Sequence, residues 1–163
     1  MVTWQGALYH KEKPVLPEMR ISNSLFRISY GLMFSSRKKI RKGLCMVFPA
    51  TKDVRYGASV TMFFVWYPLD IIFVNSSGIV VDKITLKPWL PSYTPRAACR
   101  YVIEAQKGQF SDLAIGDKVH ISGLKYFDSL FFRFPTADDT DSPFGLFMEE
   151  FLEFLVTFSF LGF

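Results

Sequence analysis

The sequence predicts a mainly β domain, a compact sandwich or barrel-like fold with one or two short helices, with α+β as the alternative. Half of the 163 residues are apolar, enough for a core that excludes water, and short runs rich in β-branched and aromatic residues are typical of buried strands. A turn of the type Asn-Ser-Ser-Gly between two such runs indicates a hairpin. We expect residues 1–123 to form this domain and residues 124–163 to form an extension with an aromatic strand and a hydrophobic C-terminal helix.

Strands are expected where a short apolar run is bounded by turn residues. The predicted strands are Val2–His10, Leu44–Phe48, Val60–Trp66, Ile71–Val74, Ile79–Val81, Arg100–Glu104 and Lys118–Ile121. Asn75–Gly78 should join the fourth to the fifth as a hairpin, because its residues tolerate positive φ. Pro68 should lie at a strand start, edge or bulge, because proline has no backbone N–H to donate to a sheet.

Helices and loops are predicted between these strands. Asn23 or Ser24 can cap a short helix that runs to about Phe34, with its apolar residues broadly on one side. Lys11–Pro17 and Pro88–Pro95 contain several prolines and are expected to be loops. A helical turn is expected around Gln109–Leu113.

The C-terminal segment Phe144–Phe163 has the pattern of an amphipathic helix with an acidic polar stripe. Its last ten residues carry no charge, but about 20 apolar residues are needed to span a bilayer. The helix can pack on the domain, pair with another copy or lie in a membrane interface. The acidic stripe disfavours anionic lipid, so we expect a homo-oligomer formed through residues 144–163.

The excess of basic residues is concentrated in one short run. The formal net charge is +4, and candidate anion contacts are Arg37, Lys38, Lys39, Arg41 and Lys42. This run has no interleaved aromatic residues, and it does not extend into a basic stripe. A solvated loop is therefore the preferred interpretation, and nucleic acid is not an expected partner.

Two further patterns bear on the compartment. Residues 1–13 contain no continuous apolar core of the kind that a secretory signal has, so we expect a cytoplasmic protein. Cys45 and Cys99 lie in apolar surroundings and are expected to be buried free thiols in a reducing compartment, although a single disulfide between them stays open.

The sequence lacks the usual catalytic motifs. It contains no Gly-x-Ser-x-Gly, no Gly-x-x-x-x-Gly-Lys and no Gly-x-Gly-x-x-Gly pattern. His10 and His120 have no cysteine or histidine at ligand spacing, so no metal and no cofactor are expected.

Asp70 is the one candidate catalytic residue, because it lies in the apolar run that follows Pro68. A carboxylate there can act as a general base or ligand anchor, or it can accept backbone N–H groups and fix the bend. Asp117 and Glu104 are interpreted as a turn residue and a structural ion-pair partner.

Aromatic and basic residues in the proline-rich loop form the candidate ligand site. With Asp70, the candidate ligand-binding residues are Trp89, Tyr93 and Arg96. Exposed aromatics on a rigid loop can stack against a sugar, base or peptide, but Trp89 can equally fold back over the core.

An ordered series of short motifs extends from Gly31 to Ile121. It comprises Gly31–Phe34, Met46–Phe48, Met62, Pro68–Phe73, Gly78, Val80, Val81, Lys87–Trp89, Tyr101–Glu104, Gly108 and Gly116–Val119. This series resembles the uncharacterised family DUF192. The resemblance implies a small β-rich fold with short helices and no established reaction, substrate or cofactor. Many members carry Met-x-Asn-Thr where this sequence has Met62-Phe63-Phe64-Val65, which removes the amide and the hydroxyl.

Three functions are compatible with these patterns. The first is a non-enzymatic β-module that binds a small ligand or a protein and self-associates through its C-terminal segment. The second is a small enzyme that uses Asp70 as a proton-transfer group. The third is a peripheral membrane protein held by the C-terminal helix.

Overall fold

The computed structural model describes residues 4–22, 32–48 and 52–124. Two predictions fall outside these ranges: most of the helix that starts at Asn23 or Ser24, and almost all of the extension over residues 124–163, including the helix over 144–163. Self-association through that helix therefore stays a prediction.

The described residues form a single curled sheet, which confirms a mainly β fold. Its seven strands are β1 Trp4–His10, β2 Lys13–Ser22, β3 Leu44–Val47, β4 Leu69–Val74, β5 Val80–Leu86, β6 Tyr101–Gln106 and β7 Val119–Ile121. Their order in the sheet is β5-β4-β6-β3-β2-β1-β7, and only the β2–β3 pair is parallel. One helix, α1 Arg37–Lys42, and a 3₁₀ turn at Tyr56–Ala58 complete the described elements. None of the helices in these ranges is long and apolar enough to cross a membrane.

The sheet curls far enough for its two outermost strands to meet at one end. Ile79 and Lys118, which precede β5 and β7, form an antiparallel bridge. The Val119 N–H donates to the Gly78 carbonyl at 2.8 Å. Gly78 has a φ of 79°, and a Cβ there would lie 2.8 Å from the Val119 carbonyl oxygen. A side chain at Gly78 would therefore collide with β7 and prevent the two edge strands from meeting. The contact between the ends of β5 and β7 gives the sheet its half-barrel shape.

Both faces of the sheet are buried. Residues directly opposite one another on neighbouring strands point to the same face, so Phe73, Val102 and Met46 share one side. That side packs under the loops that follow β3 and β5, with contributions from Ala58, Val60, Met62, Val65 and Cys99. The opposite side buries Ile72, Ile103 and Cys45, each fully inaccessible. Every residue of β4 is buried as a result.

The strong strand predictions are confirmed. β3, β6 and β7 lie where the apolar runs placed them, and β4 and β5 form the expected hairpin. The Asn75 side chain accepts the backbone N–H groups of Ser77 and Ile79, at 3.0 and 2.9 Å, which fixes the turn. Pro68 stands immediately before β4, where its missing N–H costs the sheet nothing.

Three local predictions were wrong. Val60–Trp66 is not a strand: after a bridge from Val60 to Tyr93 the chain turns at Phe63 and Phe64. Its β-forming residues reflect burial against the sheet rather than pairing within it. Lys11–Pro17 is not a loop, because β2 begins at Lys13 and register shifts in β1 accommodate the prolines. The basic run is helix α1, held by buried Ile40, rather than a loop.

Candidate functional site

Four aromatic side chains from three separate loops meet at the surface, and we call Phe34, Phe64, Trp66 and Trp89 the aromatic cluster. The Phe34 and Phe64 rings stack with centroids 4.7 Å apart. Trp89 meets Phe64 edge-on at 5.5 Å, and Trp66 meets Trp89 edge-on at 4.9 Å. Phe34, Trp66 and Trp89 remain 64%, 57% and 42% exposed, so the rings pack against one another while presenting apolar surface to solvent. Large exposed aromatics gathered in one place indicate an interaction surface.

Backbone hydrogen bonds hold the three loops of the cluster together. The Phe34 N–H donates to the Phe64 carbonyl at 3.0 Å, and the Trp89 N–H donates to the Met62 carbonyl at 3.1 Å. The Met62 N–H in turn donates to the Leu90 carbonyl at 2.9 Å. The three loops are therefore held relative to one another by main-chain contacts before any ligand binds, which reduces the entropy lost on binding.

Three members of the aromatic cluster have left-handed backbone conformations. The φ angles are 53° at Phe34, 56° at Phe64 and 64° at Trp89, and the other described non-glycine residues with positive φ are Lys11 and Glu12 of the β1–β2 turn. Bulky residues rarely adopt this region, at a cost of about 1–2 kcal/mol each. Backbone strain of this kind persists where the surrounding structure imposes it, and it concentrates at functional sites.

The charged residues in the sequence segments around the aromatic cluster are all basic. The cluster residues lie in three segments, residues 32–42, 54–69 and 84–99. These segments contain no Asp or Glu. They contain eight basic residues, namely Arg37, Lys38, Lys39, Arg41, Lys42, Arg55, Lys87 and Arg96. The Arg37 guanidinium lies 4.7 Å above the Tyr67 ring, next in sequence to Trp66. This contact joins helix α1 to the aromatic cluster by a cation–π interaction.

Glu104 lies beneath one of these loops, on the face of β6 that the loops cover. It is 4% exposed and faces Leu44 and Ile71 on the flanking strands. Burial raises the pKa of this carboxyl to about 7, although the Leu32 N–H donates to it and opposes the rise. Its Oε2 has no hydrogen-bond partner among the described residues. Because Leu32 is two residues from Phe34, Glu104 helps to place that edge of the aromatic cluster.

Asp82 anchors the loop that carries Trp89. Its carboxylate is fully buried and accepts the Tyr93 hydroxyl at 2.7 Å, the Arg96 N–H at 2.8 Å and the Lys83 N–H at 2.9 Å. Desolvation raises the pKa of Tyr93, and the bond to Asp82 adds to that rise. A buried carboxylate with several donors is a structural tie, since its lone pairs are already engaged.

Asp70 occupies a similar structural position on the other side of the hairpin. It is 5% exposed and accepts the Thr85 hydroxyl and the Gly108 N–H, both at 2.7 Å. One oxygen thus links β4 to β5 and the other fixes the turn after β6. This geometry favours the structural interpretation of Asp70 over general-base chemistry.

The four residues predicted to form one ligand site make different contacts in the structure. Trp89 belongs to the aromatic cluster, Tyr93 and Arg96 are tied to Asp82, and Asp70 faces Thr85. Phe34, Phe64 and Trp66 were not among the predicted site residues, and they lie in segments predicted as helix and strand. One feature of the sequence could have indicated the aromatic cluster. Phe64 stands where many family members have Asn, a residue suited to left-handed backbone, so an aromatic residue there is unexpected.

The remaining titratable candidates have local roles. Asp117 accepts the Ala114 N–H at 2.8 Å within its turn and lies 3.5 Å from the Nε2 of His10. Cys45 and Cys99 are free and buried, and burial raises the pKa of each thiol to about 12. Within residues 4–22, 32–48 and 52–124, no group of His, Cys, Asp and Glu could hold a metal ion.

The chain matches a family model over residues 9–121, that of DUF192, described as "Uncharacterized ACR". It belongs to the DUF192 family. Among relatives, a UPF0127 protein of Pyrococcus horikoshii is 39% identical over 63% of this chain and 85% of its own length. A UPF0127 protein of Pyrococcus abyssi is 30% identical over 70% of this chain and 96% of its own.

Two solved structures share the fold of this DUF192 chain. A crystal structure described as a putative transcription regulator from Sinorhizobium meliloti has a TM-score of 0.61, with 19% identity over 76% of this chain and 96% of that one. A protein of unknown function from Novosphingobium aromaticivorans has a TM-score of 0.58, with 18% identity over 72% of this chain and 84% of that one. At these identities the likeness shows the fold and nothing about function.

Proposed function

We propose that this DUF192 domain is a non-enzymatic binding module and that the aromatic cluster is its binding surface. The observation that carries the proposal is that Phe34 and Trp89 are both exposed and held in left-handed backbone, beside the left-handed Phe64 and the exposed Trp66. Exposed aromatic side chains gain little from folding, and left-handed backbone costs about 1–2 kcal/mol at each position. A bound ligand that covers the rings would give this arrangement its purpose.

The buried acids support binding rather than catalysis. A general base needs an accessible lone pair within reach of a substrate proton. Asp70 and Asp82 instead direct their oxygens at Thr85, Gly108, Tyr93 and backbone N–H groups. Their contacts explain why carboxylates are buried in the hairpin without requiring a reaction.

The chemistry of the surface suggests an amphipathic, anionic ligand. The rings provide apolar contact, and the acid-free segments around them carry only positive charge. Trp66 packs edge-on against Trp89 with an interplanar angle of 80°, so the two rings do not form one flat surface. Such a surface suits flexible apolar groups better than the single flat face of a sugar or base.

An apolar anionic dye tests the proposal, whatever the natural ligand is. Anilinonaphthalene sulfonate should bind the full chain with enhanced fluorescence, and the pair Trp66→Ala and Trp89→Asn should remove most of that signal. Asparagine is chosen at Trp89 because it tolerates the left-handed conformation. Ile115→Ala is the control, since Ile115 is 54% exposed outside the aromatic cluster. Equal dye binding by all three proteins would refute the aromatic cluster as a binding surface.

A further inference from the structure

We propose that the aromatic cluster and helix α1 together bind an anionic lipid surface. This inference rests on the proposed function and specifies its ligand. The membrane contact would be made by loops of the folded domain, and it is thus distinct from the C-terminal helix that the sequence suggested as an anchor.

The positions of the rings fit insertion into a bilayer interface. Phe34, Phe64 and Trp89 each lie in a turn, and Trp66 follows such a turn by two residues. Turns place side chains at the ends of loops, where they can enter the lipid headgroup region without moving a strand. Tryptophan is enriched at this depth because its ring is apolar and its N–H is polar.

The charge beside the aromatic cluster complements anionic headgroups. Helix α1 starts three residues after Phe34, and its basic side chains Lys38, Lys39 and Arg41 are exposed. Basic residues next to a membrane surface contribute to binding individually, and salt weakens their effect. No acidic residue occurs in the three segments. Glu18 of β2 pairs with Lys42 of α1 at 2.6 Å, and no ion pair to Lys38, Lys39 or Arg41 is formed among the described residues.

Two other occupants fit the surface less well. A second copy presenting the same face would bring two α1 helices together, and their like charges would repel. A peptide that added as a strand would need unpaired backbone groups, whereas Phe34, Met62 and Trp89 already donate their N–H groups to neighbouring loops. A lipid surface requires only exposed rings and positive charge.

Vesicle flotation of the full chain tests the inference. The protein should float with vesicles of phosphatidylcholine containing phosphatidylglycerol, should remain behind with phosphatidylcholine alone, and should be released by added salt. The pair Lys38→Glu and Lys39→Glu should lower the partition coefficient more than about tenfold, from the contribution of each basic residue near a charged surface. The pair Trp66→Ala and Trp89→Asn should lower it by a similar factor.

A second charge reversal, placed away from the aromatic cluster, tests whether vesicle binding depends on this surface or only on the net positive charge of the protein. Lys107 and Lys118 are exposed outside the acid-free segments, and their replacement by Glu changes net charge by the same amount. This control should float like the unmodified protein. An equal loss in the control would overturn the inference, as would equal binding to neutral vesicles.

The remaining outcomes distinguish this inference from the proposed function. If the dye binds at the aromatic cluster but no vesicle recruits the protein, the lipid inference is wrong and the binding module stands. If, in addition, a soluble peptide containing Phe and Glu binds and the tryptophan pair abolishes it, the partner is a protein. If the unmodified chain does not bind the dye, both the proposed function and the lipid inference are wrong.

Discussion

The sheet and the loops that cover it differ in how they place aromatic and acidic residues. In the hairpin of β4 and β5 the aromatic side chain Phe73 is buried, and the acids Asp70 and Asp82 are enclosed with hydrogen-bond partners. In the loop segments that form the aromatic cluster, three of the four rings are exposed, acids are absent and the backbone is strained. The difference indicates that the sheet provides stability, while the loops retain features that folding alone would not favour.

Glu104 connects the two regions. It lies on a strand of the sheet, yet its hydrogen bond reaches Leu32 at the base of the Phe34 loop. Unlike Asp70 and Asp82, it keeps an oxygen without a partner among the described residues. Asp82 and Glu104 should therefore respond differently to mutation.

Loss of Asp82 should have the largest effect on stability. Asp82→Ala leaves the Tyr93 hydroxyl and the N–H groups of Arg96 and Lys83 without their acceptor, and should lower the free energy of unfolding by about 3–5 kcal/mol. Urea denaturation measures the change. Asp112→Ala, at an exposed aspartate, is the control and should stay within about 0.5 kcal/mol. Equal effects would mean that the Asp82 contacts do not stabilise the fold.

Glu104 should make stability depend on pH in a defined direction. Its pKa is about 7 in the folded protein against an ordinary 4.5, so the folded state holds the proton more tightly. This contribution is fully present below about pH 4.5 and is lost as the pH rises through 7, on the order of 3 kcal/mol in total.

Glu104→Gln should remove that dependence. The variant should exceed the unmodified protein in stability above pH 7 while retaining an acceptor for the Leu32 N–H. Denaturation at several pH values gives the slope, and Glu12→Gln, at an exposed glutamate, provides the reference. Parallel slopes for Glu104→Gln and the unmodified chain would show that Glu104 is not held protonated.

Replacement of Phe64 should change stability least and binding most. Phe64→Asn relieves left-handed strain of about 1 kcal/mol but loses ring contacts worth about 0.5–1.5 kcal/mol, so the free energy of unfolding should stay within about 1 kcal/mol. Dye and vesicle binding should fall. Phe63→Asn offers no such relief, because Phe63 is not among the residues with positive φ, and should destabilise more. If Phe64→Asn is the more destabilising of the two, the strain argument fails.

Much of the sheet was predictable because its signals are local. The run Leu44–Phe48 and the Asn75–Gly78 turn each specify their structure within a few residues, and both predictions are confirmed. Val60–Trp66 misled because β-branched and aromatic residues signal burial on a sheet as well as pairing within one. The β1–β2 turn is formed by Lys11 and Glu12 with positive φ, a conformation that neither residue type signals.

The candidate site was harder to predict because it is assembled from distant segments. Of the residues predicted to bind a ligand, only Trp89 lies in the aromatic cluster, whereas the Tyr93 hydroxyl and the Arg96 N–H donate to Asp82. Phe34 and Phe64 lie 30 residues apart in sequence, and the hydrogen bond between their backbones is a tertiary contact. No periodicity or spacing rule brings such residues together.

Tryptophan fluorescence tests the role of the loops most directly. With Trp4 replaced by Phe, the emission comes only from Trp66 and Trp89, since the chain has three tryptophans. Addition of phosphatidylglycerol-containing vesicles should shift this emission to shorter wavelength as the rings leave water, and salt should reverse the shift. Emission that stays unchanged while the protein floats with the vesicles would contradict the account, because the contact would then lie elsewhere.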